Sequence, residues 1–290
     1  SFMKLNVSLY IPVYNGESTI KSVLKSVIKL DPSPSEIIVV NDASTDGTSS
    51  LLKNYTNHIK IINNLSNMGL AYSRNVGIEN SKYEDVASLD ADVEVSINWL
   101  KDLYDLKHKF NSALTGGKLI EKLKDENIYN LWRHFHATQN SYGNNDIDDL
   151  KSPLSGSNIL LSKSIWKKVG GYETMYRTNG EDSNFCQKLL NNNYKISYSS
   201  KSKCYHLRND TLMSLANASR RGYIYGAGLK KPTFMRFIQR SIRHFKGFLR
   251  NSFTDLRNFK PLLVYVSLIV FLNHVVKEFI SLVKNKNDYV

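Results

Sequence analysis

The chain has 290 residues, 41% of them hydrophobic and 11% aromatic, which is enough for one large α/β domain with an appendage or for two small domains. Two cysteines, Cys186 and Cys204, exclude a disulfide framework and fit a reducing compartment. The net charge of +13 is concentrated between Lys201 and Lys260, where 14 Lys/Arg meet two Asp/Glu, so a basic surface all round is excluded and one segment is left to meet phosphates.

In chain order, no charged-then-apolar leader follows Met3, which sets an expectation against secretion. Val7–Pro12 is a short apolar run. Ser18–Leu30 follows with helical periodicity, carrying Ile20, Val23, Leu24, Val27 and Ile28 on one face. Glu36–Val40 is β-branched and apolar at every position after the first, the mark of a strand covered on both sides by helices. A turn at Asn41–Gly47, a helix to about Tyr55, a strand at Ile59–Asn63, a helix at Ala71–Asn80 and a strand at Asp85–Leu89 complete the first half. Strands alternating with helices at this spacing predict right-handed βαβ units and a mostly parallel sheet. Ligands of such sheets sit beyond the carboxyl ends of the strands. The residues to read for chemistry are therefore Pro12 to Asn15, Asn41-Asp42, Asn64 to Gly69, and Asp90-Ala91-Asp92.

After Ala113 the alternation loosens. Asn144–Asp149 reads as an acidic loop, Gly156–Leu161 as a strand end, Gly170-Gly171-Tyr172 as a tight turn, and Glu181–Asn191 as a helix opening on two carboxylates, where the helix dipole favours them. Thr233–Phe253 combines Phe234, Phe237, Ile238, Ile242, Phe245, Phe248 and Leu249 with Arg and Lys on its other faces. That is the composition of a helix lying in a membrane interface. Pro261 ends it. Leu262–Leu272 is uncharged and Val275–Val283 largely apolar, but Asn273, His274, Lys277 and Glu278 interrupt the run, which favours lying on a bilayer over crossing it.

Two carboxylates two residues apart after a strand, Asp90 and Asp92, can offer hard oxygens to Mn²⁺ or Mg²⁺, with phosphate oxygens completing the shell. Such a metal neutralises a diphosphate leaving group. Asp46 is placed to cap the helix after Gly47, and Asp42, directly beyond a buried strand, to accept a hydrogen bond from a base or ribose. Arg74 is placed either to reach phosphate or to form an ion pair.

The run from Val7 to Asp92 resembles the nucleotide-binding half of the family 2 glycosyltransferases. The matching features are Pro12-Val13-Tyr14-Asn15 with Glu17, Asn41 through Thr48, Asn67-x-Gly69, Arg74-Asn75-x-Gly77 and Asp90-x-Asp92, in that order. Gly156-Ser157-Asn158, Gly170-Gly171-Tyr172, Gly180-Glu181-Asp182 and His206 continue the likeness to about Gly228. The resemblance implies a GT-A fold, an inverting mechanism and a nucleotide-sugar donor, with UDP favoured. It implies that Pro12, Tyr14 and Glu17 line the nucleotide pocket, that Asp42 holds the base, and that Arg74 lies near the base or diphosphate. Asp90 and Ala91 would lie at the ribose and sugar, Asp92 on the metal, and His206 on the metal or diphosphate. Asp182 would be the general base and Glu181 would shape the acceptor site beside it. The chain departs from the pattern at Asn41, where the family has aspartate, and at Asn184, where a further carboxylate is usual.

These readings divide the chain into a nucleotide-sugar-binding half (4–112), an acceptor-binding half (113–228) and a helical extension (229–290) that binds membrane or forms a homodimer. The acceptor is expected to be a glycan or a lipid-linked glycan, and the location the cytoplasm, peripheral on the inner face of the cell membrane. A sugar-phosphate nucleotidyltransferase would also use a carboxylate–metal pair, but Pro12–Gly16 lacks the basic residue of its Gly-rich loop. A nucleic-acid-binding protein would leave Asp90, Asp92, Glu181 and Asp182 without a role, so no nucleic-acid partner is expected.

Overall fold

In the computed structural model, residues 4–227 and 232–285 are described. The chain forms two compact units. The first comprises Ser1–Lys122 and Gln139–Leu207, and the second Leu123–Thr138 and Arg208–Val290. The segment 123–138 thus belongs with the C-terminal helices, and the division falls after Leu207. The boundary expected between 228 and 229 lies outside the described residues.

The first unit follows the predicted alternation: β1 (Lys4–Val13), α1 (Ile20–Ile28), β2 (Ser33–Asn41), α2 (Thr48–Lys53), β3 (Lys60–Asn63), α3 (Leu70–Glu79) and β4 (Asp85–Leu89). β5 (Val93–Val95), α4 (Trp99–Phe110) and β6 (Leu114–Glu121) come next, and the chain then enters the second unit as α5 (Ile128–His136). It returns as β7 (Asn158–Ser162), α6 (Lys163–Lys168), α7 (Glu181–Asn191) and β8 (Ile196–His206). Among the described residues, eight strands make one sheet in the order β3-β2-β1-β4-β7-β6-β8-β5. β3, β2, β1 and β4 run parallel, whereas β7 is antiparallel to both β4 and β6. The sheet is parallel across β1 to β4, within the expected nucleotide-binding half, and mixed beyond them, where β5 pairs antiparallel with β8.

β1 explains why the sheet is covered on both faces. Leu9, Ile11 and Val13 join one core with Val23, Leu24 and Trp99, while Tyr10 points the other way into a second core with Ile38, Val86 and Ile159. Side chains alternate across a strand, so a strand buried at seven successive positions must feed two cores.

The second unit is helical: α5, α8 (Leu212–Ala227), α9 (Phe234–Arg257) and α10 (Pro261–Lys284). Pro261 opens α10 at its first position, where a missing N–H costs nothing. α10 runs unbroken through Asn273–Glu278, and by length and composition it is sufficient to cross a membrane. Two of its polar side chains are held within the unit: Asn273 Nδ2 donates to the Ala216 carbonyl at 3.2 Å, and Glu278 binds Arg220 Nη1 at 2.6 Å.

Both long helices bury polar residues and expose apolar ones, although α10 also packs Leu263, Val266 and Val270 into a small core with Trp132. α9 buries Arg240, Ser252 and Asp255 and leaves Ile242, Phe245, Leu249, Phe253 and Leu256 exposed. α10 buries Ser267, His274, Glu278 and Ser281 and exposes Leu262, Tyr265, Leu272, Val276 and Phe279.

Candidate active site

The expected chemistry gathers around one buried guanidinium. Arg74 lies on α3 with its side chain 1% exposed. Its Nε donates to Glu181 Oε1 at 3.1 Å and its Nη2 to Asp90 Oδ1 at 2.8 Å. Nη1 donates to Ser88 Oγ at 2.8 Å and to the Gly156 carbonyl at 3.0 Å. A Cβ at Gly156 would lie 2.8 Å from Arg74 Cζ, so the glycine is what lets this backbone meet the guanidinium face. The end of β4, the loop before β7 and the start of α7 are thereby tied together.

Of the two roles open to Arg74, the ion pair is the one the geometry shows. Arg74 is a fully buried tie and is not exposed to a phosphate. Glu181 is 1% exposed and is the buried partner of Arg74 Nε. Burial, and next the Asp182 charge, raise the Glu181 carboxyl to about 7 against the pull of Arg74. Asp90 is also raised, by burial and by Asp92, with Arg74 opposing.

Asp182, at the first turn of α7, is half-buried. Its Oδ2 accepts from the Gly156 N–H at 3.2 Å and its Oδ1 from the Ser183 N–H at 2.6 Å. Asp92 and His206 also come together, with His206 Nε2 3.3 Å from Asp92 Oδ2. The other imidazole nitrogen lies 3.2 Å from both oxygens of Glu121, a buried carboxylate. Burial alone would lower His206, but the Asp92 and Glu121 carboxylates raise it to about 9. Glu121 escaped the sequence reading because nothing in the β6 run that it ends marks it; only the pairing of β6 with β8 sets it opposite His206.

Among the described residues, no group of three or more His, Cys, Asp or Glu is arranged to hold a metal alone. Asp92 and His206 are nonetheless a suitable pair for an ion that takes its remaining ligands from a substrate diphosphate, as Mg²⁺ sites commonly do. Glu121 behind the imidazole is the outer-shell carboxylate that fixes such a ligand.

A cleft of about 310 Å³ opens where β1 and β2 end, lined among others by Pro12, Tyr14, Asp42, Gly69 and Arg177, within the range of small-molecule sites (~300–1,000 Å³). Asp42 is 3% exposed. Its Oδ1 accepts from Asn64 Nδ2 at 2.7 Å and the Met68 N–H at 2.9 Å, and its Oδ2 from the Gly69 N–H at 2.8 Å. It shapes the Asn67-x-Gly69 loop as well as lining the cleft. Gly69 needs its φ of +94°, and a Cβ there would meet the Arg177 backbone at 2.9 Å. Arg177 is the exposed cation of this cleft, in the place expected of Arg74.

Two further expectations shift. Glu17 accepts from the Gly47 N–H at 2.9 Å, and its own N–H donates to Asp46 Oδ2 at 3.1 Å, so it clamps the turn before α2 and does not line the cleft. Ala91 packs against the core, and its carbonyl accepts from Thr19 Oγ1 at 2.7 Å. Asn41 explains its own departure from the pattern. Its Nδ2 donates to Ser49 Oγ and Asn63 Oδ1, both at 3.0 Å, and its Oδ1 accepts from the Ser44 N–H at 3.1 Å. An aspartate has no such donor.

Residues 8–170 match the family model described as glycosyl transferase family 2. The poly-beta-1,6-N-acetyl-D-glucosamine synthase of Staphylococcus epidermidis is 28% identical over 222 residues, covering 72% of this chain and 52% of that protein. The chain thus spans about half the length of the curated relatives it matches. Among solved structures, S. aureus TarS 1-349 in complex with UDP-GlcNAc superposes with a TM-score of 0.59 at 17% identity, covering 95% of this chain and 91% of that one. The mannosyltransferase PcManGT from Pyrobaculum calidifontis, in complex with GDP-Man and Mn²⁺, also gives 0.59, at 16% identity and 93% and 73% coverage. These two share the GT-A fold with the first unit's sheet and its flanking helices. With more than half of its length matched and the expected motifs assembled along one edge of the sheet, the chain belongs to glycosyl transferase family 2.

Proposed function

We propose that the chain transfers a sugar with inversion from a nucleoside-diphosphate sugar to a hydroxyl of a glycan or lipid-linked acceptor at a membrane surface. UDP-N-acetylglucosamine is the first donor to test, because relatives are named for N-acetylglucosamine polymers and for a UDP-GlcNAc complex. The observation that carries the reading is the Arg74 junction, which ties the Asp90–Asp92 loop and the start of α7 to the edge of the sheet where the cleft lies.

Each role is assigned to side chains placed at the cleft or at the Arg74 junction. Asp42 Oδ2 accepts one backbone N–H and keeps a lone pair for the N–H of a base. Pro12 and Tyr14 wall the base, and Arg177 faces the diphosphate. Asp92 and His206 would hold Mn²⁺ or Mg²⁺, which neutralises the departing diphosphate. Asp182 keeps lone pairs on both oxygens to take the acceptor proton while the hydroxyl oxygen bonds to the anomeric carbon and the bond to the diphosphate breaks. The exposed apolar residues of α9 and α10 support seating of the second unit on the inner face of the cell membrane, since exposed apolar surface of this extent marks an interaction site.

The test is a thermal-shift panel of UDP-, GDP-, CMP- and dTDP-sugars with and without Mn²⁺, on the wild type and Asp92→Ala. Stabilisation by one nucleotide class that requires both metal and Asp92 is expected; no shift with any of them overturns the donor reading. Flotation with anionic liposomes tests the surface, and a chain that stays at the bottom of the gradient removes it.

A further inference from the structure

The second unit contains a cavity of about 550 Å³ that the proposed transfer does not use. Four observations within it bear on what it holds.

The first is charge. Arg243, Lys246 and Arg250 line the cavity, and at spacings of three and four residues they fall on one face of α9. All three are exposed, and none has an acidic partner within 4 Å among the described residues. Arg220 and Arg240, by contrast, are both bound to Glu278, at 2.6 and 3.2 Å. The unit therefore neutralises its deep cations and leaves the cavity's cations open.

The second is an unused polar atom. His274 lines the cavity and is 5% exposed. Its Nε2 lies 3.0 Å from Ser219 Oγ, and its Nδ1 has no hydrogen-bond partner among the described residues. A buried polar atom of this kind is costly to leave unmade. Burial, and then the stacked His244 ring, hold His274 down at about 3, so the ring is neutral, and its Nδ1 can donate or accept according to whether the Ser219 hydroxyl donates to or accepts from Nε2.

The third is an opening in the packing. Gly247 lines the cavity in the middle of α9, where glycine is less favourable to a helix than alanine. A Cβ there would meet nothing within 4 Å, so no protein neighbour requires the glycine. Its absent side chain leaves room for a ligand.

The fourth is the surroundings. Trp132, Phe248 and Phe271 give the same cavity an apolar wall. One residue along the helix from the cationic stripe, Ile242, Phe245 and Leu249 form the exposed apolar stripe.

A ligand that satisfies all four is anionic at one end and apolar at the other. We propose that this cavity binds the phosphate headgroup of a single anionic amphiphile, the phosphate on Arg243, Lys246 and Arg250 and the chain leaving along the apolar stripe. The inference rests on the membrane reading only for the source of the ligand.

The experiment is calorimetric titration of the full chain with dihexanoyl phosphatidylglycerol kept below its micelle-forming concentration. Dihexanoyl phosphatidylcholine and inorganic phosphate are run alongside. Saturable binding of phosphatidylglycerol is expected, with the other two clearly weaker. The triple variant Arg243→Gln, Lys246→Gln, Arg250→Gln should lose on the order of 100-fold in affinity, each cation near a lipid phosphate being worth about a factor of five. Gly247→Leu should lose binding by filling the cavity. If that variant fails to fold, the glutamine variant carries the test, because its side chains are exposed. Inorganic phosphate binding as tightly as the lipid, phosphatidylcholine binding equally well, unchanged affinity in folded Gly247→Leu, or no heat from any titrant would each overturn the proposal. Flotation separates this from the membrane reading. Monomer binding lost in Gly247→Leu with flotation kept supports the cavity, and so does wild-type monomer binding without flotation, which removes only the membrane surface.

Discussion

The two units each bury an arginine–glutamate network, and the two networks have opposite stoichiometry. Around Arg74, one guanidinium serves two carboxylates, Asp90 and Glu181, and Asp182 adds a third acid next to the second. Around Glu278, one carboxylate serves two guanidiniums, Arg220 and Arg240. Their titration follows from this. Glu181 is raised to about 7, whereas Glu278, which burial alone would raise, is held at about 2 by His244 and the two arginines. A surplus of carboxylate suits a site that takes up cations and protons, and a surplus of cation suits a site that meets phosphate. The sign of the uncompensated charge indicates what each unit is built to receive.

The comparison breaks most decisively at Asp182. If the carboxylate surplus of the first unit serves proton removal, Asp182→Asn should lower kcat by ~10²–10⁴-fold. Donor-induced thermal shifts should be unchanged, because Asp182 is tied to Gly156 and Ser183 and is not part of the cleft lining. A kcat within about threefold of wild type would move the general base to another residue.

The next effects are on stability. Breaking a buried pair leaves a charge without its partner and costs about 3–5 kcal/mol. Arg74→Met, which strands two carboxylates, and Glu278→Leu, which strands two guanidiniums, should both fall in that range in denaturant titration. The pH dependence should distinguish them. Glu181 binds its proton more tightly folded than unfolded, so its contribution is fully present below about 4.5 and is lost as pH rises through about 7. Glu278 has the opposite sign: its contribution is present above about 4.5 and is lost as pH falls towards about 2. Glu181→Gln should therefore flatten the loss of Tm between about pH 4.5 and 7. Glu278→Gln should reduce the acid limb, leaving the part due to His274, which falls away between its ordinary 6.5 and about 3. If both variants change the same limb, the mirror-image account of the two networks is wrong.

The two units also differed in how much of them was legible from sequence. β1, β2 and α1 were readable because a strand buried on both faces has an unmistakable run, as in Glu36–Val40, and because α1 keeps a clear apolar face of Ile20, Val23, Leu24 and Val27. The start of α7 at Glu181 was readable from its paired acids. The cleft residues Pro12, Tyr14 and Asp42 were where strand-end reasoning placed them. The roles of Arg74, Glu17 and Glu121 were not, because a polar residue reads the same whether its partner is a ligand or a residue 107 positions away, as Glu181 is from Arg74. α5 was hidden for another reason. Trp132 packs with Leu263, Val266 and Val270, and its Nε1 donates to Ser267 at 2.7 Å, so its partners lie more than a hundred residues downstream. The polarity of α9 and α10 was legible as composition, but which face is buried depends on Glu278 and Asp255 being inside.

The smallest expected effect sharpens the first unit's side of the comparison. Asn41 stands where the resemblance led to an expected aspartate, and its amide donates to Ser49 and Asn63. In Asn41→Asp the Ser49 hydroxyl can rotate to donate, and the half-exposed pair with Asn63 can be restored by turning the Asn63 amide, while the Ser44 N–H keeps its acceptor. The net cost should therefore be about 1 kcal/mol, the worth of one ordinary hydrogen bond, read as a Tm lowered by ~2–4 °C in a chain of this size. Asn41→Ala, which deprives the Ser44 N–H of its acceptor, should cost more. Neither should alter which nucleotide stabilises the protein, because the Asn41 side chain faces Ser44, Ser49 and Asn63, and the cleft is lined by Asp42. A changed nucleotide preference in Asn41→Asp would mean that residue 41 reaches the base, and that the extra acid belongs to recognition and not to the turn.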